Sequence, residues 1–244
     1  MIGQGAVSLL KHPFRLMVAG KSGSGKTTLV VDIIKECFHP QVDRIMILCP
    51  SWDSQENFDP IRKYVDRKRD VIDKFNRDPF KKLLKQLNEQ KILAKEEGRK
   101  NIKTLILIDD MAGSRMLHGG RVTPFSNLAI QSNHVDLSII VLTQQPKAIT
   151  PGFRDNLEGV ICYPPQRKID RQWLFEEYNG NNLSKKKFFE IISIAWKGIH
   201  QNDYSQLGQH FIFMFMPIRA PIRYFADFHF ELTPKKFTLK GNNL

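Results

Sequence analysis

Apolar residues along this chain fall into short continuous runs, separated by stretches where they recur every three or four positions. The runs Phe14 to Ala19, Arg44 to Cys49, Thr104 to Ile108, Leu137 to Leu142 and Gly159 to Tyr163 have strand length and read as buried strands. Between them, Thr28 to Cys37 carries Leu29, Val30, Ile33 and Ile34 at helical spacing. From Pro79 onward Phe80, Leu83, Leu84, Leu87, Ile92 and Leu93 do the same, and Gly98 ends that helix. Pro124 to His134, with Leu128 and Ile130 as its apolar contacts, Ile169 to Tyr178 and Ser184 to Trp196 are three more predicted helices. Ser184 is the candidate N-cap of the last, and Phe188, Phe189, Ile192 and Trp196 share one side of it. His210 to Phe215 and Ile222 to Phe230, parted by Pro217 and Pro221, read as two late strands whose phenylalanines fill a sheet core. Strands alternating with helices predict an α/β fold with a mostly parallel central sheet flanked by helices, plus late C-terminal strands.

The first strand runs into Gly20-Lys21-Ser22-Gly23-Ser24-Gly25-Lys26-Thr27, which satisfies GxxxxGK[ST] and opens the first helix at Thr28. A glycine-rich turn between strand and helix aims free backbone N–H groups and the positive end of the helix dipole at one spot, which suits a triphosphate. Gly20, Gly23 and Gly25 let the backbone approach the ligand. Lys26 is placed to reach the β- and γ-phosphates of ATP, and the Thr27 hydroxyl to ligate Mg²⁺. The nucleotide contacts expected from sequence therefore run from Gly20 through Thr28.

The third strand ends in adjacent carboxylates. An acidic residue there holds Mg²⁺ in P-loop NTPases, and a second can deprotonate the attacking water, so Asp109 is assigned to the metal and Asp110 to the water. The fourth strand ends in Thr143-Gln144-Gln145, where an amide beside the acidic strand is placed to read the γ-phosphate or orient water. Gln144 is the first choice and Gln145 the second. Arg154 is a candidate phosphate contact in its own subunit, an arginine finger across an interface, or a surface arginine.

Charge adds a partner to this picture. The 244 residues carry a formal charge of +12, and Ile61 to Lys103 hold fifteen Lys/Arg against seven Asp/Glu, a net of +8. That balance points to a polyanion such as nucleic acid, or to a solvated basic surface. Lys185, Lys186 and Lys187 oppose the dipole of their helix, which hints at an anion contact. The three cysteines, Cys37, Cys49 and Cys162, lack metal or disulfide spacing and read as buried free thiols in a reducing compartment. The longest apolar run, Phe211 to Met216, is far short of a membrane span, so a soluble intracellular protein is expected.

The order of these motifs resembles the genome-packaging ATPases of poxviruses, giant viruses and virophages, a branch of the FtsK/HerA superfamily. The likeness rests on HPFRLMVAGKSGSGKTTL (His12 to Leu29), TLILIDD (Thr104 to Asp110) and SNHVDLSIIVLTQQ (Ser132 to Gln145), with PGFRDN (Pro151 to Asn156) in support. It implies a RecA-like sheet with an additional strand, and ATP hydrolysis coupled to translocation of double-stranded DNA. It also implies a homo-oligomeric ring with shared active sites, docking to capsid vertex proteins, and a location in host-cell cytoplasm, the viral factory or the virion. By the family pattern Lys26 and Thr27 bind ATP and Mg²⁺, Asp109 is the Walker B acid, and Gln144 is the sensor. Asp110 stands where the superfamily has Glu or Asp, and Asn133-His134 stand where the family often has Arg-His. A single domain over 1–244 is expected, with core motifs in 13–163, a basic helical insertion in 52–101, and C-terminal helices and strands in 164–244.

Three other readings compete. Lys21 occupies the signature-lysine position of ParA/MinD-like partitioning ATPases, a nucleotide-dependent DNA-binding scaffold need not turn over, and a small-molecule kinase would also carry the phosphate loop.

Overall fold

The computed structural model describes residues 5–74, 79–109, 111, 117, 122–180, 182–197, 210–217, 220–232 and 240–241. The chain enters the sheet at β1 (Arg15–Ala19), turns through the glycine-rich loop into α1 (Lys26–Ile33), which continues as a π turn to Phe38, and returns as β2 (Arg44–Leu48). Next come α2 (Asp59–Arg62), α3 (Arg67–Asp70), β3 (Val71–Ile72), α4 (Pro79–Glu96) and β4 (Thr104–Ile108). They are followed by α5 (Pro124–Gln131), β5 (Leu137–Thr143), α6 (Pro151–Arg154), β6 (Gly159–Cys162), α7 (Lys168–Tyr178) and α8 (Lys185–Lys197). The last elements are β7 (Ile212–Phe215), β8 (Arg223–Ala226), β9 (Phe230–Leu232) and β10 (Lys240–Gly241).

The ten strands among the described residues join one sheet in the order β10-β9-β8-β7-β6-β1-β5-β4-β2-β3. From β6 to β3 neighbours run parallel, and from β6 to β10 they run antiparallel. The Gln-tipped strand β5 therefore lies between the phosphate-loop strand β1 and the acidic strand β4, with Met17 opposite Val141 and Ile106 opposite Ile139. This is the additional strand that the family resemblance implied.

Alternate residues along each buried strand serve opposite faces. Met17, Ile106, Ile139 and Val141 point to a core closed by Phe80, Leu83 and Leu87 of α4, Phe125 and Leu128 of α5, and Phe188 and Ile192 of α8. Leu16, Val18, Ile45, Leu105 and Ile140 point the other way, toward Val30, Ile33 and Ile34 of the first helix and toward Trp52, Phe58 and Ile61. β1, β4, β5 and β6 are buried along their whole length, which explains why their sequences read as continuous apolar runs instead of alternating ones.

Three sequence expectations are corrected. Ile92 and Leu93 are 56% and 50% exposed, because the buried line of α4 runs through Phe80, Leu83, Leu87 and Ala94 and leaves both off its stripe. Ile130 is 51% exposed for the same reason, the buried line of α5 running through Phe125, Leu128 and Ala129. The run Ile222 to Phe230 is two strands: Asp227 and Phe228 take φ of 46° and 67° and fold β8 back onto β9. Left-handed phenylalanine is disfavoured, but Phe228 is buried against Phe211 and Phe213, which offsets the cost.

Candidate functional site

Because β1, β5, β4 and β2 are parallel, their C-terminal ends meet at one edge, and the loops leaving that edge enclose a cleft of about 240 Å³. Ser22 to Thr28 form one wall. Thr143 and Gln144 contribute a second, and Asp109, Gln55 and Asn57 close the third.

The glycine-rich turn is locked by Gly20, whose N–H donates to the Thr143 carbonyl at 3.1 Å. A Cβ at Gly20 would meet Ser24 Oγ at 2.7 Å and Tyr163 Cβ at 3.0 Å, so any side chain there would displace both neighbours. Gly25 has φ of 83° and serves as N-cap without a side-chain hydrogen bond to the first turn of α1. Helix α5 is the contrast within this fold: its first turn is closed by the reciprocal capping box of Thr123 and Ser126. The first N–H groups of α1 therefore face the cleft with the positive end of the helix dipole behind them.

Within the loop, Ser24 Oγ is buried with no hydrogen-bond partner among the described residues. Lys26 is 8% exposed, and its Nζ donates to the Lys21 carbonyl at 2.6 Å. Burial pushes the Lys26 ammonium below its ordinary pKa, and the Asp109 carboxylate partly opposes this. Thr27 Oγ1 donates to Asp109 Oδ2 at 2.9 Å, so a hydroxyl and a carboxylate from two elements already share one point. An orphaned hydroxyl, an uncapped helix start, a buried ammonium and an oxygen pair suited to Mg²⁺ together fit a magnesium-bound polyphosphate.

The other sequence candidates divide. Gln144 lines the cleft, exposed at the tip of β5. Gly20, Lys21 and Gln145 line a neighbouring pocket on the β6 side, with Tyr163, Pro164 and Pro165. Asp110 lies outside the described residues, as do 112–116 and 118–121. Arg154 corrects the expectation of a phosphate contact in its own subunit. Its guanidinium donates to Glu177 Oε1 at 3.0 Å and to the carbonyls of Lys147 and Ile149 at 2.9 and 3.1 Å, over the Trp173 ring. Asn133 sits ahead of β5, at the end of the sheet away from the cleft, where its Oδ1 accepts from Arg15 at 2.7 Å. Gln55 and Asn57 were not singled out from sequence. They belong to no motif, and the only hint is a polar stretch bracketed by Trp52 and Phe58.

Of the basic segments, Lys185 alone of the α8 lysines joins a groove, of about 430 Å³ between α7 and α8, with Lys168, Arg171, Phe189 and Trp196. The Arg171 guanidinium lies over the Trp196 ring at 6.0 Å, and Trp196 Nε1 donates to the Cys162 carbonyl at 3.1 Å, seating the groove on the end of β6.

A family model described as poxvirus A32 protein matches residues 5–206. The uncharacterized protein 088R of Invertebrate iridescent virus 3 is 23% identical over 197 residues, covering 80% of this chain and 69% of that protein. The uncharacterized protein L437 of Acanthamoeba polyphaga mimivirus is 22% identical over 191 residues, covering 76% of this chain and 64% of that one. Among solved structures, the genome packaging NTPase B204 from Sulfolobus turreted icosahedral virus 2 in complex with AMPPCP aligns over 88% of this chain and 98% of its own. Its TM-score is 0.57 and its identity 18%. The same protein in complex with AMP gives a TM-score of 0.59 over the same shares. At this identity the likeness is one of fold.

Proposed function

The chain belongs to the poxvirus A32 protein family, and on that footing we propose that it is a viral genome-packaging ATPase whose cleft binds ATP with Mg²⁺ and whose hydrolysis drives double-stranded DNA into a capsid. The observation that carries this reading is the meeting of Lys26, the Thr27–Asp109 pair and Gln144 around the uncapped start of α1.

Bound Mg²⁺ would neutralise charge on the β- and γ-phosphates. The protein does the rest by positioning. The N–H groups of the phosphate loop hold the phosphate oxygens, and Ser24 Oγ gains the partner it lacks. Lys26 exchanges a neutral carbonyl for anionic oxygens, which offsets the cost of burying its charge. Asp109 and Thr27 hold the metal, Gln144 orients the attacking water, and Asp110 accepts its proton. The transition-state cation is assigned to an arginine of a neighbour in a homo-oligomeric ring, the arrangement that the family resemblance implies. Arg154 could serve a neighbour only by leaving Glu177.

The groove of Lys168, Arg171 and Lys185 is assigned to the DNA backbone, because three cations converge there on an aromatic floor. Capsid vertex proteins complete the assembly, in the viral factory of the host cytoplasm or in the virion. Among the described residues no helix is long and apolar enough to cross a membrane.

ATP hydrolysis with and without linear double-stranded DNA across a salt series, with Lys26→Ala and Asp110→Asn as controls, tests the reading. Stimulation that fades with salt and disappears in both variants supports it. Hydrolysis indifferent to DNA at every salt and oligomeric state removes the motor, and an inert DNA-bound assembly turns the nucleotide into a structural switch.

A further inference from the structure

We infer that Gln55 and Asn57, carried on the loop after β2, contact the terminal phosphate of the bound nucleotide and form a second γ-phosphate sensor facing Gln144. The inference rests on the cleft being an ATP site, and it adds a discrimination that no sequence motif marks.

The loop leaves the sheet beside the metal-binding acid. The Asp109 N–H donates to the Leu48 carbonyl at 3.0 Å, so the last residue of β2 is locked to the residue that carries the carboxylate. From there the chain is pinned at two points. Trp52 and Phe58 are both buried in the core beneath α1, with ring centroids 4.8 Å apart. Arg62 braces the span between them: its Nη2 donates to the carbonyls of Trp52 and Gln55 at 2.8 and 3.1 Å, and its guanidinium lies over the Trp52 ring at 4.7 Å. The Phe58 N–H also donates to the Gln55 carbonyl, at 3.3 Å.

A short polar span clamped by two buried aromatics and an arginine has few conformations left, and it presents Gln55 and Asn57 to the cleft. Gln55 is oriented further by donating one amide N–H to Ser51 Oγ, which leaves its second N–H and its carbonyl for a ligand.

Position within the cleft selects the phosphate. β5, β4 and β2 all lie to one side of β1, and the Thr27–Asp109 pair marks that side as the metal end of the triphosphate. The opposite side of the phosphate loop, bounded by Gly20, Lys21 and Tyr163, faces β6. Two amides beside the metal acid therefore meet the γ-phosphate or the water that attacks it. With Gln144 on β5 they bracket the reacting group from two strands.

The test is equilibrium binding of a fluorescent ADP and a fluorescent non-hydrolysable ATP analogue, with Mg²⁺, to the full chain and its variants. In Gln55→Ala/Asn57→Ala, affinity for the ATP analogue should fall about tenfold or more, as expected for losing hydrogen bonds to a charged group. ADP affinity should stay within about twofold of the parent by the same arithmetic. Gln55→Glu, which keeps the size and adds a negative charge, should lose the ATP analogue selectively, and thermal melting checks that both variants fold. Equal loss of both nucleotides, or no loss of either, overturns the inference. If the parent binds neither nucleotide and Lys26→Ala changes nothing, the ATP site itself falls and takes the inference with it, a result distinguishable from the others because it involves the parent.

Discussion

Among the described residues six parallel strands and a four-strand antiparallel flank share one sheet, and the cleft lined by Lys26, Asp109 and Gln144 opens at the first group. In the parallel half each strand is reached by a crossover, so all C-terminal ends lie on one edge and the residues there converge: Thr143 and Gln144 after β5, Asp109 after β4, the Gln55 loop after β2. In β7 to β10 successive strand ends alternate between edges, and convergence of that kind is not available. The flank instead supports a surface. α8 packs on β7 and β8, α7 packs on α8, and the cationic groove opens between them. One half thus gathers polar side chains into a cleft, and the other presents an open groove lined by Lys168, Arg171 and Lys185.

The sharpest way to break this division is to remove charge from the converging edge. Lys26→Ala or Asp109→Ala should cut ATP hydrolysis by about 100-fold or more while leaving far-UV circular dichroism unchanged, since each removes electrostatic stabilisation of a transferring phosphoryl group. The next effect is structural and belongs to the opposite end of the same strands. Arg15 is buried, paired with Glu158, and donates to Asn156 O at 2.6 Å, Ser132 Oγ at 2.6 Å and Asn133 Oδ1 at 2.7 Å. Arg15→Ala should cost about 3–5 kcal/mol in urea unfolding, because it leaves Glu158 charged and largely covered. The matching change in the flank, Arg223→Ala, breaks a solvent-accessible pair with Glu231 and should cost under about 1 kcal/mol, with hydrolysis unaltered.

A milder effect separates the two halves by function. Arg171→Glu with Lys185→Glu should weaken DNA binding and lower the slope of log K against log salt by about 0.9 for each phosphate no longer neutralised, with DNA-free ATPase preserved. Retained affinity and slope would move the DNA-binding face elsewhere, to the outer face of α4 first. Smallest is a reactivity difference at the seam. The Cys162 thiol, buried where β6 meets β7, is pushed up to about 12, so it stays protonated across the ordinary pH range. Cys37 is half-buried, not buried as the sequence suggests, so a thiol reagent at pH 8 should modify it first and reach Cys162 only in denaturant.

What could be read from the chain depended on how local the signal was. Asp109 and Gln144 each follow a contiguous apolar run directly, and Lys26 and Thr27 follow one through the glycine-rich motif; in a parallel sheet the ends of such runs are neighbours. Gln55 and Asn57 reach the same cleft from a loop whose path depends on Trp52, Phe58 and Arg62 finding partners in the folded core. Arg154 looked equally able to meet phosphate or protein. Glu177, 23 positions further along, engages its guanidinium instead.

The amino-acid pattern by itself determined the strand and helix succession, the phosphate loop and the place of Asp109 at the end of an apolar strand, because each follows from backbone stereochemistry and the spacing of apolar residues within one segment. Strand order, the fold-back at Asp227 and Phe228, the outward phases of Ile92 and Ile130, the bracing of the Gln55 loop and the gathering of Lys168, Arg171 and Lys185 into one groove were decided only by the tertiary structure. Each of those depends on contacts between residues far apart in the chain, and their energies exist only once the two faces of the sheet are covered.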